Sequence, residues 1–196
     1  MTTTDTHART YKVGYFIGSL SSTSINRILS RALIRLAPND LEFTEIPIGN
    51  LPLYSPDYDA NVPPEVVAFK EAIASSDAIL FVTPEYNRSI PGALKNAIDW
   101  ASRPRSQNSF DHIPAAVIGA SPGQLGTALA QQSLRGVLGY CNARQMTAPE
   151  AYIQYSTDVF TDDGEVTNES TKAFLTNYLE EFRTHLIRVL TVLPRQ

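Results

Sequence analysis

The sequence contains a single cysteine, no long apolar run and no excess of basic residues. Because Cys141 is the only cysteine, an internal disulfide framework and a multi-cysteine zinc site are excluded. No apolar stretch approaches the ~20 residues of a membrane-spanning helix, and the polar first ten residues lack the apolar core of a signal peptide. Sixteen basic and twenty acidic residues give a net charge of −4, which argues against a general nucleic-acid binder. We therefore expect a cytoplasmic protein that binds neither membranes nor nucleic acids and holds no metal.

The composition is that of a folded protein of moderate size. The chain has 196 residues, of which 43% are hydrophobic and 18% are charged. At roughly 100–200 residues per domain, this length predicts a single domain over residues 1–196, and we expect residues 1–10 to be flexible. A chain of this size buries about 70% of its unfolded surface, which is enough for a core without disulfides or metals.

Short apolar runs alternate along the chain with longer segments of helical period. The first helix is marked by an apolar stripe at helical spacing: Ile25, Ile28, Leu29, Ala32, Leu33 and Leu36. The same pattern predicts strands at 11–18, 41–46, 78–83, 114–120 and 145–149, and helices at 25–36, 64–76, 91–101, 124–138 and 169–193. Such alternation predicts a doubly wound α/β fold, a five-stranded parallel sheet with helices on both faces. Ligands of such sheets bind beyond the carboxyl ends of the strands, so three strand-to-helix loops are candidates for function.

Loop one, residues 18–26, joins the first predicted strand to the first predicted helix. Its sequence, GSLSSTSIN, contains four serines and one threonine. Hydroxyl groups beside the free N–H groups of a helix start can hold a phosphate without a lysine. The alternative is an ordinary serine N-cap, although a cap needs one such residue and not five. The chain has no GK pair for a P-loop, and Leu20 stands where a dinucleotide fingerprint needs its second glycine.

Loop two, residues 83–92, has the sequence TPEYNRSIPG. Two prolines stiffen it, and the glycine at its end allows another backbone to approach closely. Tyr86 offers an aromatic face, and Asn87 offers both donors and an acceptor. Such a loop suits a planar heteroaromatic ligand. The alternative is a rigid connection that binds nothing.

Loop three, residues 119–124, matches the G-x-S-x-G pattern of a hydrolase nucleophile elbow, and Asp158 and His185 follow in the hydrolase order. In that mechanism the residue after the serine donates its backbone N–H to the oxyanion, and Pro122 has no N–H. His185 also falls at the edge of the apolar stripe of the last predicted helix, which favours a packing role. We therefore interpret loop three as a turn that brings backbone close to a flat ligand.

Together, the three loops resemble those of the flavodoxin-like NAD(P)H-dependent FMN reductase family, which includes quinone, azo-dye and chromate reductases. The most specific match is TPEYNRSIPGALKNAIDW at 83–100, which is similar to the family signature P-E-Y-N-x-S-x-P-G-x-L-K-N-A-I-D-W at nearly every position. Loop one matches G-S-L-x-x-x-S-x-N, but Ser21 stands where many members carry arginine. The resemblance extends from Val13 to about Ala151 and implies a flavodoxin-like, FMN-binding domain.

The cofactor-binding residues that the resemblance implies are Ser19, Ser21, Ser24, Asn26, Pro84, Glu85, Tyr86, Asn87, Ser121 and Gly123. Those of loop one would bind the FMN phosphate, Ser21 more weakly than the others. Those of loop two would lie along the isoalloxazine and ribityl groups, largely through their backbone, and those of loop three would border the flavin. Arg88 is either a contact for the phosphates of NADPH or a solvated loop residue. No side chain is expected to be a catalytic acid, because the chemistry belongs to flavin N5.

The resemblance implies an oxidoreductase that passes a hydride from NADPH or NADH to bound FMN. The electrons then go to an acceptor such as a quinone, an azo compound, chromate or free flavin. Family members are mostly homodimers or homotetramers, and the leucines and tyrosines at 51–59 offer apolar surface for such contacts. Two alternatives from other classes are an electron-carrier flavodoxin, normally more acidic than this chain, and a non-catalytic flavin-binding regulatory protein.

Overall fold

A computed structural model describes residues 9–193. The strands are β1 (Tyr11–Ile17), β2 (Leu41–Glu45), β3 (Ala78–Val82), β4 (Pro114–Ser121), β5 (Arg144–Gln145) and β6 (Tyr152–Gln154). The helices are α1 (Ile25–Leu36), α2 (Pro64–Ala74), α3 (Gly92–Ala101), α4 (Ala128–Tyr140) and α5 (Glu169–Val192), with 3-10 turns at Pro56–Tyr58 and Arg105–Gln107. The flexibility predicted for residues 1–10 stays a prediction, because residues 1–8 lie outside the described residues. Arg9 forms an ion pair of 3.0 Å with Asp77.

The strands form a parallel sheet in the order β2-β1-β3-β4-β5, and β6 pairs with the carboxyl end of β4. This order is that of flavodoxin-like folds, and it reverses between β1 and β3. The predicted five-stranded, doubly wound sheet is therefore confirmed. Loops one and two leave the sheet at the point of reversal, where such folds bind their ligands.

Both faces of the sheet are covered by helices. All five residues of β3 are buried, as the continuous apolar run AILFV predicts. On one face the sheet packs against α1 and α5 through residues such as Leu33 and Phe182. On the other face it packs against α2, α3 and α4, around Phe81, Trp100 and Leu134.

Two predicted elements have an end that differs from the structure by more than two residues. Helix α4 begins at Ala128 and not at residue 124, because residues 122–127 form a turn in which Gly126 has a φ of +56°. The predicted strand at 145–149 is wrong in extent: β5 ends at Gln145, and the chain forms β6 only after Pro149. Proline has no N–H for a ladder hydrogen bond, which explains why the strand does not continue to Pro149.

Candidate functional site

The carboxyl ends of β1, β3 and β4 lie side by side, and this brings the three loops together. The backbone N–H of Gly18 donates to the carbonyl of Val82 at 2.9 Å, and that of Thr83 donates to the carbonyl of Ile118 at 3.0 Å. A Cβ atom on Gly18 would lie 2.8 Å from Thr83 Oγ1, and one on Gly119 would lie 2.0 Å from the Thr83 carbonyl oxygen. Only glycine permits this approach, so the two glycines set the spacing of the loops.

The amino end of α1 has no side-chain cap, although a serine occupies the N-cap position. Ser24 is the N-cap residue, but its side chain makes no capping hydrogen bond. Ser24 is 6% exposed, and its Oγ has no hydrogen-bond partner among residues 9–193. The first turn of α1 also has no acidic residue to offset the positive end of the helix dipole. A buried, unpaired hydroxyl beside free helix N–H groups fits the phosphate of FMN.

Two other serine hydroxyls of loop one have hydrogen-bond partners within the protein. Ser19 is buried, and its Oγ lies 3.4 Å from the hydroxyl of Tyr86 in loop two. Ser21 is exposed, and its Oγ accepts a hydrogen bond from the backbone N–H of Thr23 at 3.2 Å. Ser19 therefore faces loop two, whereas Ser21 stabilises its own turn.

Asn26 holds α1 against β4. Its Nδ2 donates to the carbonyl of Ala120 at 2.9 Å, and its Oδ1 accepts from the backbone N–H of Ala120 at 2.9 Å. Asn26 is only 1% exposed. Both ends of the amide bind the strand that leads into loop three, so the Asn26 side chain fixes the position of the α1 amino end.

Loop two forms a tight hairpin. Tyr86 and Ser89 exchange two backbone hydrogen bonds of 3.0 Å, which leaves Asn87 and Arg88 as the turn. These two residues have φ angles of 51° and 66°. Positive φ at both central positions defines a type I′ turn, the preferred two-residue hairpin connection. Pro84, which precedes the hairpin, is buried, whereas the side chains of the two turn residues are exposed to solvent.

Glu85 caps α4 from loop two. Its Oε2 accepts hydrogen bonds from the backbone N–H groups of Leu129 at 2.9 Å and Ala130 at 3.1 Å. Its Oε1 lies 3.7 Å from the guanidinium of Arg88, and its side chain is 11% exposed. A carboxylate at a helix amino end is stabilised by the helix dipole. The Glu85 side chain thus holds loop two against α4, and only the backbone of Glu85 is available to contact a ligand.

The hydroxyl of Ser121 shapes loop three and does not form a nucleophile elbow. Its Oγ donates to the carbonyl of Gly126 at 2.6 Å and accepts from the backbone N–H of Gly123 at 3.2 Å. The Nε2 of His185 lies 2.7 Å from the carbonyl oxygen of Arg144, at the opposite edge of the sheet. Because a carbonyl only accepts, His185 is a donor in a packing role, as its position in the apolar stripe predicts.

Residues 9–193 contain no group of three or more His, Cys, Asp or Glu side chains placed to hold a metal ion. Over the same range, no helix is long and apolar enough to cross a membrane. Burial raises the pKa of the Cys141 thiol, which disfavours the thiolate that a reactive cysteine needs.

Comparison with known proteins identifies the family. Residues 11–158 match the NADPH-dependent FMN reductase family. The chain belongs to this family. It is 46% identical over 171 residues to a 2-hydroxy-1,4-benzoquinone reductase from a Burkholderia species, a match that covers 87% of this chain and 93% of that protein. It is 44% identical over 176 residues to a quinone reductase from Pseudomonas putida, covering 89% of this chain and 94% of that protein.

A solved structure extends the similarity to three dimensions. FerB, a flavoenzyme NAD(P)H:(acceptor) oxidoreductase from Paracoccus denitrificans, has a TM-score of 0.88 and 46% sequence identity, covering 91% of this chain and 98% of that one. The predicted family, flavodoxin-like fold and reductase activity are confirmed, as are FMN as cofactor and NAD(P)H as co-substrate. The contacts that individual residues make with FMN stay predictions.

Proposed function

We propose that this reductase binds FMN between the three loops and transfers a hydride from NADPH or NADH, through that flavin, to a quinone. The observation that carries the proposal is the buried, unpartnered Ser24 hydroxyl at the uncapped amino end of α1. Two relatives at 46% and 44% identity are named quinone reductases, which supports a quinone as acceptor.

The phosphate end of FMN would be held without a cation. The Ser24 and Ser19 hydroxyls and the amino end of α1 would contact it, with Asn26 holding that end in place and exposed Ser21 contributing least. The remaining contacts would line the ring and ribityl chain, largely through backbone groups: Pro84, Glu85, Tyr86, Asn87, Ser121 and Gly123. Helix N–H groups and hydroxyls suit a phosphate, and the hairpin and loop three suit a flat ring.

The rim of the site is open and partly apolar. FMN, when bound, supplies the hydride-accepting N5 atom, while the protein supplies orientation and access. Leu20 in loop one, Tyr86 in loop two and Leu125 directly after loop three are 61%, 49% and 56% exposed. Such a rim suits flat substrates that bind in turn, first the nicotinamide and then the acceptor. The same openness would admit azo compounds, chromate or free flavin.

We also propose that the protein is a homodimer or homotetramer that works in the cytoplasm, where its reduced nicotinamide substrates are found. Leu53 and Tyr140 are 83% and 71% exposed, which is much apolar surface for a single subunit. The loop at 51–59 contributes only part of it, because Tyr54 packs edge-on against Trp100 at 5.1 Å between ring centroids. Sedimentation velocity of the FMN-loaded protein measures the assembly, and a single species with the mass of one chain would contradict it.

Anaerobic titration followed by steady-state kinetics tests the function. Protein stripped of flavin should bind added FMN, and NADPH or NADH should then reduce it. Oxidation of either nicotinamide should turn over with 1,4-benzoquinone and stop when FMN is left out. Protein that binds FMN but is reduced by neither nicotinamide would be an electron carrier and would refute the reductase. Protein that does not bind FMN would refute the site itself.

A further inference from the structure

Arg88 occupies a backbone position that favours glycine. It is the second residue of the type I′ turn in loop two, with a φ of 66°. Residues other than glycine, asparagine and aspartate are strained in this conformation. The Arg88 side chain is 68% exposed, so packing in the core does not compensate for this strain. Local conformation therefore does not explain an arginine at the tip of the hairpin, whereas a role toward a ligand does.

Arg88 also forms only a long ion pair with a carboxylate. In the helices that follow loops one and two, the ion pairs are shorter: Arg27 contacts Glu45 at 2.7 Å, and Lys95 contacts Asp99 at 2.8 Å. The contact of Arg88 is 3.7 Å long. It is made to Glu85, whose other carboxylate oxygen already accepts two hydrogen bonds from α4.

No other basic residue occurs in the three loops, since loops one and three contain none. The basic residues Arg103 and Arg105 follow the carboxyl end of α3, a helix whose amino end adjoins loop two. At 1.5 Å per residue, the ten residues of α3 place them at the far end of a helix about 15 Å long. Arg88 is therefore the one basic side chain that these loops offer to an incoming anion.

We propose that Arg88 binds a phosphate group of the incoming nicotinamide dinucleotide and sets the affinity for the hydride donor. The phosphate is the 2′-phosphate of NADPH or the pyrophosphate that NADPH and NADH share. A guanidinium suits either group, because its planar N–H donors match phosphate oxygens. The inference rests on the proposed function, since it requires the nicotinamide to approach a flavin beside loop two. The FMN phosphate has its own place at α1 and does not compete for Arg88.

The test uses four variants of the FMN-loaded enzyme. Arg88→Gln removes the charge, Arg88→Lys keeps it without the planar donors, and Arg88→Gly supplies the residue that the turn favours. Arg188→Gln, in an exposed part of α5, is the control with the same change in net charge. Each variant is assayed for KM with NADPH and with NADH at saturating 1,4-benzoquinone, at low and high ionic strength. The Kd of FMN and the Tm are measured in parallel.

Arg88→Gln and Arg88→Gly should raise the KM for NADPH about fivefold to tenfold, the range of one exposed charge-assisted hydrogen bond. Arg88→Lys should restore part of the affinity, and the salt dependence of KM should weaken in the uncharged variants. Arg88→Gly should keep or raise the Tm, which a structural role for the arginine would not allow. The Kd of FMN should stay unchanged.

The two nicotinamides distinguish the sources of the phosphate. A loss confined to NADPH assigns Arg88 to the 2′-phosphate, and an equal loss for NADPH and NADH assigns it to the pyrophosphate. An unchanged KM for both in Arg88→Gln, or the same rise in Arg188→Gln, would overturn the proposal while FMN binding and turnover stay intact. Failure of the wild-type protein to bind FMN would instead refute the proposed function.

Discussion

Replacement of Ser24 by alanine should separate the two roles that a serine at a helix start can have. A serine that caps its helix contributes about 1 kcal/mol, and its loss destabilises the protein by that amount. Ser24 makes no capping bond, and its buried hydroxyl has no partner among the described residues. Without FMN, the free energy of unfolding of Ser24→Ala should therefore equal that of the wild type or slightly exceed it.

With FMN present, Ser24→Ala should instead lower the free energy of unfolding relative to the wild type. A hydrogen bond to a charged group contributes about 1.5–3 kcal/mol, so losing the Ser24 hydroxyl should raise the Kd of FMN about 10- to 100-fold. Quenching of FMN fluorescence by added apoprotein gives the Kd directly. Urea unfolding with and without FMN gives the same quantity independently, because a ligand stabilises the folded state by an amount set by its concentration relative to Kd.

Asn168→Ala is the matched control. Asn168 caps α5 by accepting a hydrogen bond from the backbone N–H of Thr171 at 2.9 Å. This variant should lose about 1 kcal/mol without FMN and keep the wild-type Kd. If Ser24→Ala behaves in the same way as Asn168→Ala, Ser24 is an ordinary cap and the phosphate site at α1 is refuted.

Two further predictions concern the stability of the fold. Glu85→Gln keeps the shape of the α4 cap but loses its charge, so the free energy of unfolding in urea should fall by about 0.5–1 kcal/mol; an unchanged value would contradict the capping role. Arg183 donates to Asp40 at 2.8 Å and holds the pKa of that carboxyl below its ordinary value. The pair therefore stabilises the fold above the ordinary pKa of about 3.9, and this contribution is lost as the pH falls through the lowered pKa. Arg183→Gln should cost up to about 1 kcal/mol at pH 7 and progressively less as the pH falls below about 4; a cost that does not depend on pH would contradict the pairing.

The sequence predicted the layers of the fold because they depend on local pattern. The run AILFV required a strand covered on both faces, and the stripe from Ile25 to Leu36 required a helix with one buried side. Both are found where they were expected. The later start of α4 was within reach of the same reasoning, since Pro122, Gly123 and Gly126 are turn formers in the segment predicted as helical.

Local sequence patterns could not predict which side chains of the site form hydrogen bonds to distant parts of the protein. Asn26 and Glu85 are polar residues in motifs, and the resemblance implies that Asn26 binds the FMN phosphate and that Glu85 lies along the flavin, largely through its backbone. In the structure, Asn26 binds Ala120, 94 residues away, and Glu85 binds Leu129, 44 residues away. Such partners are set by the packing of α1 and α4 on the sheet, so only the three-dimensional arrangement shows that these side chains support the site.

The amino ends of α1 and α4 lie at the same edge of the sheet, but they differ in the charge of the side chains beside them. The end of α4 is already neutralised by a carboxylate of the chain itself, whereas the end of α1 is left without one. A flavin nucleotide entering tail-first toward α4 would meet a negative charge, and one entering toward α1 would meet free donors. We therefore expect the phosphate of FMN to lie at the amino end of α1 and not at that of α4. Riboflavin, which has no phosphate, would gain nothing from this asymmetry.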